Sequence, residues 1–426
     1  MTMAGDERLA TEYATSPRAW TSWERVLFRF VFVYFVVYFF PLPEGFFPGI
    51  DVLGDIWGRI FLRGTPWICK AIFGVACQQP EGAYANGDNA GDYAALFFVA
   101  ATTVVITVIW SIADRRARSY PRLYELFRVY VRFSLAFLML MYGVVKLMKG
   151  QFGFPRLEEI ARPLGELTPM GLMWTFMGYS TPYTFFGGLL ETTSGLLLYF
   201  RRTTLLGACI AAGVMTNVVV MNFSYQVFVR LFSTHILLLA IVLLAPDGKR
   251  LFEFFVRSRA TAPARDPSFI APRWKKPALG LKVLLMAWAI GLSTYRAVDQ
   301  IRQFGDNLPK HALYGIYDVE SFALAGEALP PLLTDRRRWR RMIVEQDGRG
   351  GVWSMDDARR PIDCAKSSGS CILSAKSAES AFTYERADGD RLVLSGKLGE
   401  EDVAIRLKKL DLATLPILAP FHLIER

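Results

Sequence analysis

The chain has 426 residues, 52% of them hydrophobic and 14% aromatic, with charged residues held to 21% and a mean hydropathy of +0.26. That composition excludes a disordered chain and speaks against an ordinary soluble enzyme, in which charge averages about 25%. It fits a polytopic membrane protein, in which the excess of 49 Lys+Arg over 39 Asp+Glu serves orientation and contact with membrane lipid rather than with nucleic acid.

Residues 1–22 are mixed and polar and read as a cytoplasmic tail. Residues 23–41, rich in Phe, Val and Tyr, read as an uncleaved first membrane helix. A signal peptide would end in a small-residue cleavage pattern, and PLPEGFFPG follows instead. A bilayer core takes about 20 apolar residues per helix. Further spans are expected at 93–112, 127–148, 182–200, 203–222, 228–244 and 279–295, seven in all, with a short helical piece near Trp174 that re-enters or caps the outer surface. The connections 113–128 and 246–278 are rich in Arg and Lys, and Arg201 and Arg202 lie between two spans. The connection 42–92 carries only Arg59, Arg63 and Lys70. This asymmetry places the basic loops and the amino terminus in the cytoplasm and the carboxyl terminus outside.

The spans form a transmembrane helical domain over 23–299. From residue 300 the apolar runs shorten and alternate, as around Tyr314, Trp339 and Phe382, and 391–396 with 402–408 read as a hairpin about Gly399. Residues 300–426 are therefore expected to form an extracytoplasmic antiparallel β domain, a sheet or small barrel. Four of the five cysteines occur as close pairs on the expected outer side, Cys69 with Cys77 and Cys364 with Cys371. Disulfides persist there, and Cys209 is left free within a span.

Ionisable groups inside spans are costly and mark candidate sites. Glu191 lies midway along its span, and Gly187 and Gly195, each four residues away, would share its helix face and let a neighbouring helix or flat ligand approach. With His235 and Lys146 it makes the candidate catalytic set. Tyr142, Asn217, Asn222, Arg230 and Trp174 are candidate ligand-binding residues. In the expected topology these polar groups fall in the outer half of the membrane, with Glu191 near its middle. A carboxylate, an imidazole, amides and cations in one pocket suit a proton-exchanging polar headgroup such as a quinone. The alternative reading is structural: a paired Glu that joins helices, a lysine that snorkels, amides and an imidazole that bond between helices. Asp88 and Asp92 in NGDNAGDY read as turn and capping residues rather than a calcium loop. No metal-binding, hydrolase, Walker or dinucleotide motif is present.

The segments YGVVKLMKGQF (142–152), LTPMGLMWTFMGYSTPYTFFGGLLE (167–191), RRTTLLGA (201–208) and VMTNVVVMNFSYQVFVRLFSTHILLLAIVLLAPD (214–247) resemble the DoxX-like family of bacterial membrane proteins. The resemblance implies a central four-helix membrane bundle, with a core at 127–247, within an extended subgroup that adds the β domain. In that family one member is the small membrane subunit of a thiosulfate:quinone oxidoreductase, and others serve maturation of periplasmic redox enzymes or cargo handling. This sequence departs from the pattern at NGDNAGDY and at Tyr225-Gln226. The function expected is that of a bacterial inner-membrane protein binding a quinone or similar lipid-like redox molecule, as the membrane part of an oxidoreductase system. A periplasmic redox or secreted protein would be its partner, with the β domain covering the pocket or docking that partner. Two alternatives stay open: a non-enzymatic scaffold, assembly or maturation factor, and an enzyme resembling the vitamin K-dependent carboxylases with Lys146 as base.

Overall fold

A computed structural model describes residues 19–40, 52, 56, 63–77, 88–261, 272–365, 370–374, 379–387 and 389–418. The tail at 1–18, Arg59, Arg265 and most of the connection at 41–62 lie outside them. The described residues fall into two units. One lies within Met1–Met148 and Pro182–Val298; the other lies within Lys149–Thr181 and Asp299–Arg426.

In the first unit α1 (Ser22–Phe39) opens on a capping box, Thr21 with Glu24, which satisfies amides that the first turn leaves free. A short helix α2 (Thr65–Ile68) runs into a π turn, where the disulfide joins Cys69 to Cys77. Helix α3 (Ala90–Ala113) starts on a second capping box, Asn89 with Asp92, and α4 (Pro121–Leu147) on a proline at its first position. Helices α5 (Leu157–Ala161) and α6 (Pro169–Tyr179) belong to the second unit, and α7 (Thr181–Leu198) returns the chain to the first. Then follow α8 (Thr204–Ser224), α9 (Arg230–Leu244), the short α10 (Gly248–Phe255) and α11 (Lys275–Phe304).

Among the described residues, five helical stretches are long and apolar enough to cross a membrane: Ala90–Ala113, Pro121–Leu147, Arg201–Ser224, Arg230–Phe255 and Lys275–Gln303. Helices α1 and α7 have 18 residues each and are not among them. The reason is polarity: α1 spends its first turns on Glu24, Arg25 and Arg29, and α7 carries Glu191 with Thr192, Thr193 and Ser194.

Helix α4 is buried on every side between Leu135 and Leu140, as befits a helix with neighbours all round. At one end of this unit Arg29 donates to Ser111 Oγ at 3.0 Å and to the Asp114 carbonyl at 2.9 Å, and Tyr120 Oη also accepts from it. That arrangement gathers the start of α1, the end of α3 and the start of α4 beside the basic run at Arg115–Arg118. At the other end Asp88 meets the start of α9.

The second unit is built on a closed antiparallel barrel. Strands β1 (Gly315–Leu324), β3 (Trp339–Val344), β4 (Arg349–Ser354), β5 (Arg359–Cys364), β6 (Ser370–Ser374), β7 (Glu379–Arg386), β8 (Arg391–Leu398) and β9 (Glu401–Lys409) pair in sequence order, and β9 closes back on β1. A two-residue strand β2 (Glu327–Ala328) extends β1. A bulge between Val319 and Ser321 interrupts the pairing of β1 with β9. Alternation points Val403, Ile405 and Leu407 of β9 inward with Leu392 and Leu394 of β8, around Trp339, Phe322 and Phe382. Side chains thus fill the barrel, as eight strands allow. The hairpin expected about Gly399 is present, with that glycine at φ 70°. The second disulfide joins Cys364 to its register partner Cys371 across β5 and β6; the turn at 366–369 lies outside the described residues.

Helix α5 lies on this barrel: Leu157 packs with Ile316 and Ile343, and Arg359 Nη2 bonds Glu158 Oε1 at 2.8 Å. The carboxylate of Glu345, at the end of β3, accepts the Leu157 and Glu158 amides at 3.4 and 2.9 Å. Burial raises the pKa of Glu345 above its ordinary 4.5, against the lowering effect of the two amides. A carboxyl whose folded pKa is raised contributes stability below its ordinary pKa and loses it as pH rises through the folded value. We expect the thermal stability of the full chain relative to Glu345→Gln to fall as pH rises from about 4.5. Paired unfolding curves across pH check this, and a constant difference would refute it.

Candidate functional site

Among the described residues, the most buried ion pair of the helical unit joins Lys146 on α4 to Glu191 on α7. The lysine is 8% exposed and the glutamate 2%. Glycines bring the two backbones together. A Cβ on Gly188 would stand 2.8 Å from the Leu147 amide nitrogen and 2.9 Å from the Gly143 carbonyl. One on Gly195 would stand 2.8 Å from Leu140 Cγ, and one on Gly143 2.5 Å from the Thr192 amide nitrogen. Gly187 does not take part, since a Cβ there meets open space. The contact face is therefore Gly188–Glu191–Gly195, following the helical alternation of three and four, and the expected grouping of Gly187 with Glu191 is corrected.

The pair leaves a remainder. Glu191 Oε2 and the Thr192 hydroxyl are buried with no hydrogen-bond partner among the described residues. Unmet acceptors of this kind cost about 1–3 kcal/mol, and more when charged. Oε2 is thus an acceptor available to a donor. Tyr142, half-buried one turn before Lys146, sets its ring 6.4 Å from that of Phe232 on α9.

His235 sits elsewhere. Its Nδ1 lies 2.6 Å from the Leu231 carbonyl, which can only accept, so Nδ1 carries the proton. Nε2 shares a 2.6 Å hydrogen bond with Tyr34 Oη, the phenol donating when the ring is neutral. The imidazole stacks on Tyr38 with centroids 3.7 Å apart and planes 6° from parallel. Both tyrosines come from α1, four residues apart on one face. Sequence reasoning missed them. The available signal was two phenols at helical spacing in an otherwise apolar run.

The remaining candidates divide further. Asn222 donates to Ser233 Oγ at 3.0 Å and so joins α8 to α9. Asn217 is exposed and turns to the sulfur of Met221 on its own helix. Arg230 is held by Asp88. That carboxylate takes the Arg230 and Leu231 amides at 2.6 and 3.0 Å and Arg230 Nε at 3.0 Å, and so caps α9. Trp174 belongs to the second unit, edge-on to Phe152 at 5.2 Å. Hydrogen bonds and ion pairs thus bring together Lys146 with Glu191, while His235, Asn222 and Arg230 each have separate partners. No group of three His, Cys, Asp or Glu side chains able to hold a metal ion occurs among the described residues.

No family model matches the chain, and no solved structure matches it. It is 32% identical over 140 residues to the uncharacterized protein YwoB of Bacillus subtilis, a match that takes in 32% of this chain and 83% of YwoB. The chain belongs to the YwoB family. Two thirds of it lie outside that match.

The pair predicts a definite mutational pattern. Glu191→Leu or Lys146→Met alone leaves a buried group uncompensated and should cost about 3–5 kcal/mol, while the double change Lys146→Met with Glu191→Leu should recover most of that loss. Unfolding in detergent measures the cycle, and additive losses would show that the pair is not coupled. Gly188→Ala should cost about 1–3 kcal/mol by overpacking, and Gly187→Ala should be tolerated. Equal melting temperatures for the two variants would contradict the close approach.

Proposed function

We propose that this protein is a seven-span, DoxX-like protein of the bacterial inner membrane. It binds a quinone or similar lipid-soluble redox molecule at the crossing of α4 and α7, as the membrane part of an oxidoreductase system. The observation that carries the reading is Glu191 Oε2, a buried carboxylate oxygen beside an ion pair and with no partner among the described residues. A quinol hydroxyl is a donor, and Oε2 is the carboxylate oxygen whose acceptor capacity is unmet. A bound quinone supplies paired electron and proton transfer at its ring oxygens. Glu191 would accept the ligand's hydrogen bond at Oε2 and take up or return its proton there. Lys146 holds the other side of the carboxylate in place, and the close-packed glycines exclude water.

In this reading α1 and α7 join the five longer helices as spans. The end bearing Arg115–Arg118, Arg201 and Arg202 faces the cytoplasm, with the barrel outside to meet a periplasmic redox partner. The two disulfides suit that side. The rival is a non-enzymatic scaffold or maturation factor, favoured by the fact that Lys146 and Glu191 also answer each other and so join two helices. The third reading, a carboxylase-like enzyme with Lys146 as base, would have to use the amine that is ion-paired with Glu191.

The test is a solvent extract of the purified full chain read by mass spectrometry, together with the absorbance change on adding a quinol. Quinone at close to one per chain, lost on Thr192→Val or Glu191→Gln in protein that remains monodisperse, is the expected result. Extracts free of quinone and a silent titration would sink the redox reading in favour of the scaffold.

A further inference from the structure

Helix α8 has two faces of different character. One packs inside its own unit through Gly207, Ala208, Ala211, Met215 and Asn222. The opposite face carries Leu206, Ile210, Gly213, Asn217, Val220 and Ser224, spaced alternately four and three residues apart. That is the 3.5-residue period of a coiled-coil seam, and Asn217 takes the place at which a single polar residue sets register between paired helices. The described residues leave this seam open. Leu206 and Val220 are 56% and 58% exposed, Asn217 is exposed, and a Cβ on Gly213 would meet nothing.

Asn217 lies three residues past Val214, the middle of α8, or about 5 Å along the helix axis. The stretch Arg201–Ser224 is long and apolar enough to cross a membrane, so the amide falls within a hydrocarbon core about 30 Å thick. Among the described residues its sole hydrogen bond runs from Nδ2 to the Met221 sulfur at 3.5 Å, and a thioether is a weak acceptor. The carbonyl oxygen Oδ1 accepts nothing there. Thr216, beside it, shows the contrast, returning its hydroxyl to the Ala212 carbonyl at 2.7 Å. Lipid tails offer neither donor nor acceptor, so an amide left facing them is costly.

A surface that answers this amide needs a donor and an acceptor at the same depth, on a face that follows the same period. A second copy of the chain has both by construction. Copies inserted in one orientation set α8 parallel to α8, and a two-fold axis along the membrane normal brings residue 217 opposite residue 217. An amide is donor and acceptor at once, so it complements itself. Gly213, one turn away, lets the two backbones come close.

We propose that the protein forms a parallel homodimer in the membrane through the α8 seam, with Asn217 hydrogen-bonded to Asn217 of the partner subunit. The inference rests on the membrane reading of α8 and not on quinone binding at Glu191; its readout is the mass of the assembly, so the two can fail separately.

The experiment is sedimentation of the purified full chain in density-matched detergent, joined to cross-linking in native membranes. A dimer is expected. Asn217 is exposed and its hydrogen bond stays within α8, so its variants should keep the protomer fold. Hydrocarbon gives no hydrophobic reward to an apolar replacement, and Asn217→Val should weaken the dimer about tenfold. Asn217→Gln, which keeps donor and acceptor, should retain most of it. In a Cys209→Ser background, Val220→Cys should cross-link two copies on mild oxidation. Phe223→Cys, with 56% exposure at Phe223 but off the seam, should not. A chain that is monomeric in detergent and uncross-linked in membranes would overturn the proposal, as would a dimer indifferent to Asn217→Val. Cross-linking through Phe223→Cys in place of Val220→Cys would also overturn it. Capture of a different protein by Val220→Cys would assign the seam to that partner and overturn the homodimer.

Discussion

A lysine and a glutamate can share a nearly solvent-free site only where two backbones approach closely enough to leave no room for water. The helical unit depends on meeting that condition at one crossing. Desolvating the two charges is expensive, and their mutual attraction offsets the cost only at contact distance. Gly143, Gly188 and Gly195 remove the side chains that would hold α4 and α7 apart. Glycine is a poor helix former, at about 1 kcal/mol per residue against alanine. Its repeated use on facing surfaces therefore marks a contact that backbone proximity, not side-chain packing, was selected to make. The same proximity fixes the register of the two helices, because a slip of one residue on α7 would set Leu190 or Thr192 against the Lys146 ammonium.

The ends of the unit are secured differently. Arg29 is 3% exposed and is satisfied by a carbonyl and hydroxyls from two other segments. Asp88 spends its carboxylate on two amides and one guanidinium at the first turn of α9. Each is a charge placed where a helix terminus leaves complementary groups unpaired, so the helix ends and the buried charges satisfy one another. The result is a helical unit with apolar flanks, a polar lock in the middle and polar clasps at both ends.

Much of this was legible in the chain. Runs of apolar residues about 20 long announce the helices, and period-two alternation announces β8 and β9. Close cysteine pairs announce the disulfides. The capping role of Asp92 was visible because Asn89 lies three residues before it. What could not be read was pairing at a distance. Depth in the membrane suggested that Asn217, Asn222, Arg230 and His235 would converge with Glu191, but depth does not fix azimuth. Asn217 points away from the interior because the face of α8 that packs runs through Gly207, Ala208, Ala211 and Met215. His235 is claimed by α1, a helix whose neighbours no local pattern specifies. The choice between Gly187 and Gly188 turns on 100° of rotation that two adjacent glycines leave undetermined. The helical piece near Trp174 is expected to re-enter or cap the outer surface, and its whole segment Lys149–Thr181 belongs with the barrel through Glu345, Glu158 and Leu157, contacts separated by nearly 190 residues.

Closure of the barrel through β1 and β9 has a consequence for synthesis. The partner of Tyr317 is Lys409, and that of Leu324 is Val403, so the first strand cannot complete its pairing until β9 has been made. Until then the sheet has two open edges, each a template for pairing with another chain. Loop closure across some 80 residues also slows the final step. Helix α5 leaves the ribosome long before the strands it will cover. Maturation of this unit is therefore governed by the last strand to arrive, and a chain truncated before residue 401 would present an unfinished, adhesive sheet rather than a smaller barrel.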